Sequence, residues 1–296
     1  MTSRRIAIAA AVLLHFFALA LEAQVTLTQP TAETRQQLTK ALQEYRQKKD
    51  PHGEAVTLLQ LGIAEAGLGN VDGARSNLAE AARKLRAQND PMGAWLALNF
   101  LAQIEVALGR PAEAIGLMDK ALTVINEAKV STAPLTFKTF MAVGSASGFP
   151  PEMLEMLEGP NAAKMKPMML QYFLEPMTHN LYGSVLTQVG QFDKAEAELK
   201  AAAAGLVHSQ GMYDFSLESH WGDLRFGQQR YDEARAHYMK ALNASSKAAA
   251  VPMAEQHIKA DIYDRLVRLE TATGHPAEAK RWSEKAKELR KTPGSR

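Results

Sequence analysis

A thirteen-residue motif that recurs along the chain is the feature that most restricts its fold. Each strong copy begins with glycine or glutamine, has proline, valine or an aromatic residue at position three, and has alanine at positions six and thirteen, as in GQFDKAEAELKAA. Five copies align without a gap and begin at residues 69, 109, 190, 229 and 274, and a weaker sixth begins at 148. The successive steps are therefore 40, 39, 42, 39 and 45 residues, a period typical of stacked supersecondary units.

The sequence around each motif predicts two helices joined by a tight turn. Leu58 and Leu61 follow helical spacing before the first motif, and the motif glycine suits the left-handed backbone at which many helices end. The residue at position three begins the second helix, where a proline costs little. The two motif alanines are seven residues apart and so share one face of that helix. We expect these alanines, with Gly62, Gly183 and Gly222 on the first helices, to let antiparallel helices approach closely.

Composition also favours helices. Hydrophobic residues make up 46% of the chain and aromatic residues only 7%, and the apolar content is mostly alanine and leucine. We therefore predict an all-α fold, an α-solenoid of stacked antiparallel helix pairs. The expected solenoid covers residues 51–291 in about six units, of which the third, 131–171, is degenerate. A linker and capping helix at 24–50 precede it, and a tail at 292–296 follows.

The first 23 residues have the layout of a secretory signal peptide. A short basic start is followed by an apolar run of 16 residues and then by small residues suited to cleavage, ending at Ala23. The run is short for a bilayer span. We expect an exported chain, periplasmic or secreted, without stable membrane insertion after cleavage. The chain has no cysteine, so disulfides and thiol chemistry are excluded.

The balance of charge argues against nucleic acid as a partner. The chain has 34 basic and 32 acidic side chains and a formal net charge of +2. Phosphate binding needs a concentrated basic surface, and an anionic membrane surface attracts a polybasic tract. We find neither in the sequence.

The repeat resembles the tetratricopeptide repeat (TPR) family. The residues that carry the resemblance are the alanine pairs and, on the first helices, Leu61-Gly62, Tyr182-Gly183 and Trp221-Gly222. The resemblance covers roughly residues 52–291, and the period is nearer to 40 than to the 34 residues usual in that family, as in its long-period bacterial type. It implies a superhelix whose concave groove binds a protein or peptide without catalysis.

The family frame also implies which side chains line this groove. Amides and hydroxyls in a row can pair with the main chain of an extended peptide. The predicted groove residues are Asn99, Gln103, Asn180, Ser184, Ser219, Asp223, Asp264 and Arg268. The alternative is that these are solvated helix residues with no ligand.

The degenerate third unit is rich in methionine and proline. Met153 and Pro160 stand where the other units have motif alanines, so we predict that its second helix breaks near Gly159-Pro160 and restarts around Asn161. Three interpretations stay open: thioethers that fill an irregular core, a secondary apolar contact surface, and copper(I) ligands. The last two involve Met153, Met156, Met165 and Met168.

Catalytic and metal-binding spacings are missing from the sequence. It contains no HExxH, no Walker loop and no GxGxxG fingerprint, and GSASG at 144–148 has Ala146 where a nucleophilic serine would stand. We therefore predict a noncatalytic scaffold with no cofactor and no bound metal. The alternatives are an accessory or sensor arm of a separately encoded peptidase or envelope complex, and a methionine-rich copper-handling protein.

Overall fold

The computed structural model describes residues 30–133, 135, 139, 162–206, 214–248 and 252–291. These ranges contain twelve α-helices, one π-helical turn and no β-strand. The first six helices are α1 (Ala32–Gln47), α2 (Pro51–Gly67), α3 (Val71–Ala87), α4 (Pro91–Ala107), α5 (Pro111–Val130) and α6 (Ala162–Met169). The π-helical turn (Leu170–Leu174) comes next, followed by α7 (Glu175–Gln188), α8 (Phe192–Leu206), α9 (Asp214–Gly227), α10 (Tyr231–Ala248), α11 (Pro252–Ala272) and α12 (Pro276–Lys291).

Neighbouring helices pack against each other in chain order. Three-residue turns join the members of the pairs α2/α3, α4/α5, α7/α8, α9/α10 and α11/α12, and helices joined by so short a turn run antiparallel. The described residues divide into two compact units, an N-terminal unit that ends at Thr178 and a C-terminal unit that begins at His179. The predicted all-α solenoid of antiparallel helix pairs is confirmed.

The motif glycines end the first helix of a pair in left-handed backbone. Gly69, Gly109, Gly190 and Gly274 have φ between 69° and 77°, a region that glycine enters without steric strain. Gln229 takes the same position before α10 with φ 62°. Its Cβ makes this conformation unfavourable by about 1 kcal/mol.

In the turns that precede α2 and α4, Lys49 and Asn89 take the left-handed backbone, and an aspartate caps the helix that follows. Asp50 Oδ1 accepts the backbone N–H groups of His52 and Gly53 at 3.1 and 3.0 Å, and Asp90 Oδ1 accepts that of Gly93 at 2.9 Å. In both turns the residue after the aspartate is proline, which suits the first helical position because its missing N–H has no partner there. These two dipeptides fix where α2 and α4 begin.

The motif alanines lie at the contact between the two helices of a pair. All ten are buried: Ala74, Ala81, Ala114, Ala121, Ala195, Ala202, Ala234, Ala241, Ala279 and Ala286. A Cβ placed on Gly62 would stand 2.6 Å from Leu78 Cγ, and one on Gly222 would stand 2.4 Å from Tyr238 Cε1. The expected close approach is confirmed. The counterpart of each glycine is a large side chain four residues after the first alanine, which fills the space that the glycine leaves.

Helix α4 forms the centre of the N-terminal unit. Twelve of its 17 residues are buried, and residues 92–102 are buried without interruption, so the first three turns of the helix are enclosed on all sides. The Trp95 side chain is fully buried, its Nε1–H donates to Thr178 Oγ1 at 2.7 Å, and its ring lies 6.2 Å from that of Phe173. The ring contact of Trp95 thus joins α4 to the π-helical turn, and its hydrogen bond joins α4 to α7.

Residues 162–188 form one continuous helix that widens at the π-helical turn. The Glu175 N–H donates to Leu170 O, five residues back, as a π-helix requires. Pro176 follows, and a proline ring collides with the carbonyl four residues before it in a regular α-helix. The wider turn relieves that collision, so the chain continues through Pro176 without a break.

Several predicted features lie outside the described residues. These are the signal peptide at 1–23, the break near Gly159-Pro160 and the tail at 292–296. The described part of the third unit resumes at Ala162, next to the predicted restart. Within the described ranges, no helix has both the length and the apolar character needed to cross a membrane.

Candidate functional site

The predicted groove residues of the N-terminal unit lie on α4 and differ in their surroundings. Asn99 is buried, and its Nδ2 donates to Trp95 O one turn earlier at 2.8 Å. Gln103 is exposed one turn later and has no side-chain hydrogen bond among the described residues. Only Gln103 therefore has its amide available to a ligand.

In the C-terminal unit, three of the predicted residues lie on α7 and α9. Asn180 is buried, and its Nδ2 donates to Ser216 Oγ at 3.0 Å. Ser219 is also buried and donates to Phe215 O at 2.7 Å. Ser184 is half-buried one turn after Asn180, with no side-chain hydrogen bond among the residues that the structure describes.

Asp223 lies at the centre of a network of charged and polar side chains between α9, α10 and α11. Its Oδ1 accepts from Tyr238 Oη at 2.9 Å and from Arg268 Nη2 at 2.5 Å, and its Oδ2 accepts from Arg265 Nε at 3.0 Å. Burial alone would raise the pKa of Asp223, but Arg265, His220 and Arg268 outweigh it and hold the pKa below its usual value. Asp223 is therefore a carboxylate fixed between two guanidinium groups.

His220 borders this network and is half-buried. Burial first, and then the charge of Arg265, lower the pKa of His220 to about 4, while Asp223 and Asp261 oppose the shift. The imidazole is therefore neutral near pH 7, and its Nδ1–H donates to Asn180 Oδ1 at 2.8 Å. In this state the ring positions Asn180.

Burial also raises the pKa of the Tyr238 hydroxyl, with Asp223 adding to the effect. Tyr238 consequently stays a neutral donor to the carboxylate. Asp264, the remaining predicted acid, is exposed on α11 and accepts from Arg290 of α12 through both carboxylate oxygens. Asp261 also pairs with Arg265, so the network contains two carboxylates and two guanidinium groups and its formal charges balance.

Ion pairs connect successive helix pairs at a repeated position, and the sequence reasoning missed them. We call each such pair a rung: motif position seven on one second helix contacts the residue four before the next motif on the following first helix. The rungs are Arg75–Glu105 at 2.5 Å, Glu196–Arg225 at 2.8 Å and Arg235–Glu270 at 2.6 Å, and Arg35 of α1 contacts Glu65 in the same way at 2.8 Å. The sequence does show opposite charges at these two positions relative to the motif, and that pattern could have predicted the ion pairs.

One rung has its charges inverted. Glu196 stands where the other rungs between helix pairs have arginine, Arg75 or Arg235, and Arg225 stands where they have glutamate, Glu105 or Glu270. Hydrogen bonds from Arg225 and Lys200 lower the pKa of Glu196 to about 2. The inverted rung therefore stays ionised over the whole range in which proteins are usually handled.

The predicted methionine contacts are only partly covered by the structure. Met153, Met156 and the side chain of Met165 lie outside the described residues, and Met168 is half-buried on α6. Across the described ranges, no group of three histidine or acidic side chains is arranged to hold a metal ion. Copper(I) binding by the methionines thus stays an untested alternative to the predicted absence of a bound metal.

Comparisons with known proteins give a likeness of structure. No protein-family model matches the chain, and no curated protein matches it. Among solved structures, BtubC (BKLC) from P. vanneervenii is similar, with a TM-score of 0.57 and 16% identity over 90% of this chain and 96% of that chain. The assembly chaperone of RpL4 (Acl4, residues 1–338) has a TM-score of 0.41 and 14% identity over 86% and 95% of the two chains. The first likeness shows the fold, an all-α solenoid over nearly the whole chain, and the second is too low to add to it.

Proposed function

We propose that this chain is an exported, noncatalytic scaffold of the TPR type that binds a protein or peptide along the face formed by its first helices. The observation that carries the proposal is that each unit has, on a first helix, a polar side chain with no side-chain hydrogen bond among the described residues. Gln103 lies one turn after the internally bonded Asn99 in the N-terminal unit, and Ser184 lies one turn after the internally bonded Asn180 in the C-terminal unit. An amide and a hydroxyl offer both donors and acceptors to a peptide main chain. Fixed neighbours lower the conformational entropy that binding must overcome.

The surrounding network supports binding over chemistry. The amides of Asn99 and Asn180 form internal hydrogen bonds, and Asp223 forms ion pairs with two arginines. A peptide on these first helices would meet fixed, polar side chains in either unit. Recognition would then rest on shape and on hydrogen bonds at Gln103 in the N-terminal unit and at Ser184 in the C-terminal unit.

The test is affinity capture from the exported fraction with the mature chain as bait. The informative variant combines Gln103→Ala and Ser184→Ala, because neither side chain takes part in an internal hydrogen bond. The matched control combines Asn126→Ala and Asn243→Ala, two exposed amides on the second helices α5 and α10. A partner retained by the wild type and the control but lost by the first variant is the expected result. Equal retention by all three baits would remove the first-helix face from the proposal.

Export has its own measurement. The N-terminal residue of the chain recovered from the exported fraction is expected to be Gln24, after cleavage at Ala23. Recovery of the uncleaved chain in the cytoplasmic fraction alone would overturn this part of the proposal.

A further inference from the structure

Lys166 on α6 is a buried ammonium group that forms no ion pair with any described residue. Its residue is only 9% exposed, and its Nζ donates to Ser131 O at 2.7 Å and to Ala133 O at 2.6 Å. Ser131 ends α5, so Lys166 caps carbonyl groups at the end of that helix. These two bonds account for two of the three N–H donors of the ammonium group.

The positive charge of Lys166 has no ion-pair partner among the residues that the structure describes. Burial lowers the pKa of Lys166, as expected where no opposite charge compensates the loss of water. Nearby, Lys129 Nζ contacts Glu175 Oε1 at 2.5 Å, so those two charges cancel each other. Buried charges are usually paired, so one unmatched positive charge at this place needs an explanation.

A cleft of about 730 Å³ opens beside Lys166. This volume falls within the range typical of sites for small ligands, about 300–1,000 Å³. The cleft is lined by Lys129, Ser131, Thr132, Ala133, Lys166, Pro167, Leu170, Gln171 and Glu175, all in the N-terminal unit. The lining combines cationic and neutral donors with a short apolar wall.

We propose that this cleft binds a carboxylate, with one carboxylate oxygen accepting the third N–H of Lys166 and the attached carbon chain lying against Ala133 and Pro167. A single negative charge matches the single unmatched positive charge, whereas a phosphate dianion would leave an excess. Thr132 and Gln171 are exposed at the cleft and supply further donors for the second oxygen. The carboxylate belongs either to a free short-chain acid or to an acidic side chain of a peptide. The site is separate from the first-helix face of the proposed function.

Calorimetric titration of the full chain at pH 7 and constant ionic strength tests this proposal. The probes are butyrate, its uncharged analogue 1-butanol, and glutamate blocked at both termini as N-acetyl-glutamate amide. Saturable binding of butyrate or of the blocked glutamate, with none of butanol, is the expected result. Tighter binding of butyrate would identify a free acid as the source, and tighter binding of the blocked glutamate would identify a peptide side chain. Absence of saturable binding by both anions, or equal binding of butanol, would overturn the proposal.

Two variants assign the binding to Lys166. Lys166→Met should weaken the affinity for the anion by at least about tenfold, since a hydrogen bond to a charged group is lost. Lys120→Met, at an exposed lysine of α5, should leave that affinity unchanged. Gln171→Glu keeps Lys166 and its hydrogen bonds at the end of α5 but places a negative charge within the cleft. It should therefore weaken the affinity for the anion to a similar extent. This variant tests the proposal even if Lys166→Met fails to fold. Unchanged affinity in Gln171→Glu, or in a folded Lys166→Met, would contradict the assignment.

Discussion

We number the helix pairs so that the degenerate unit counts as the third. In the second pair, α4/α5, Leu98 and Leu117 occupy the positions that His179 and Glu198 occupy in the fourth pair, α7/α8. Both leucines are buried, whereas His179 Nδ1 and Glu198 Oε2 form a half-buried contact at 2.5 Å. The backbone position is the same in both pairs, 16 residues before and three residues after the first motif alanine. The comparison teaches that the alanines and the turn specify the packing of a pair, and that the side chains around them are free to be apolar or ionic.

The later pairs of the C-terminal unit extend this contrast. In the fifth pair the two side chains are exchanged, with Glu218 on the first helix and His237 on the second, 2.6 Å apart. In the sixth pair the same positions hold Tyr263 and Trp282, whose rings stack with centroids 5.5 Å apart. Apolar burial is insensitive to charge, so we expect charge substitutions at these two positions to matter mainly in the C-terminal unit.

The largest predicted effect is on the apolar centre of the N-terminal unit. Trp95→Ala should lower the free energy of unfolding by about 4 kcal/mol, because it leaves a cavity and removes the donor to Thr178. Trp221→Ala is the matched control: Trp221 is only half-buried and stacks on His237 in the C-terminal unit, so its loss should cost about 1–2 kcal/mol. Urea denaturation followed by circular dichroism measures both. Equal losses would remove the contrast between the two units.

A somewhat smaller effect is predicted for Asp223, the half-buried carboxylate at the centre of the network in the C-terminal unit. Asp223→Ala should cost about 3 kcal/mol, because it leaves Arg265 and Arg268 without their shared acceptor in a partly desolvated site. Asp264→Ala removes an exposed ion pair with Arg290 and should cost less than about 0.5 kcal/mol. The same urea experiment separates the two cases. If Asp264→Ala proved the more damaging, burial would not be what gives the network its strength.

The pH dependence of stability should be assigned to His220. The pKa of His220 is about 4 in the folded chain, whereas an unperturbed histidine, as in the unfolded chain, has a pKa of 6.5. Between these two pH values the unfolded chain therefore binds more protons than the folded chain. Stability should therefore fall as the pH is lowered from about 6.5 to 4, by about 2 kcal/mol given that the ring is half-buried. His220→Gln removes the titrating group and should flatten this part of the curve. A variant that kept the wild-type slope would shift the assignment to other groups.

The smallest predicted effect concerns the inverted rung. Glu196→Arg alone places two guanidinium groups together and should cost about 1–2 kcal/mol, since the Arg225 side chain is only 10% exposed. Combining it with Arg225→Glu restores opposite charges in the orientation used by the other rungs and should recover most of the loss. A double-mutant cycle measures the recovery. Additive losses would show that the two residues act independently.

The fold could be predicted from the sequence because its signals are local and repeated. The turn glycines, the alanines seven apart and the glycine one helix earlier all belong to a single motif, and five copies agree in spacing. Gln229 breaks the pattern at one turn, yet the turn forms with the same backbone because the flanking helices impose it.

The candidate site could be predicted only in part. The family frame selects the helices and the faces on which Asn99, Asn180 and Asp223 stand. It cannot show that these side chains are bonded internally, because their partners come from other turns or other helices. The π-helical turn and the cleft beside Lys166 lie in the degenerate unit, where the repeat gives no register to extrapolate. Long-range contacts of this kind depend on geometry that no single motif encodes.

The inverted rung has a consequence for how such a chain can change its length. A repeat protein can lose or duplicate a whole unit without breaking any helix, because the turns within its helix pairs share one backbone conformation. Removal of residues 214–251, however, would bring α8 against α11 and set Glu196 opposite Glu270, a residue that is 4% exposed in the intact chain. Two carboxylates would then face each other with little water between them. This repulsion would destabilise the shortened chain. The charges of the rungs thus disfavour this deletion, even though the repeated backbones are alike.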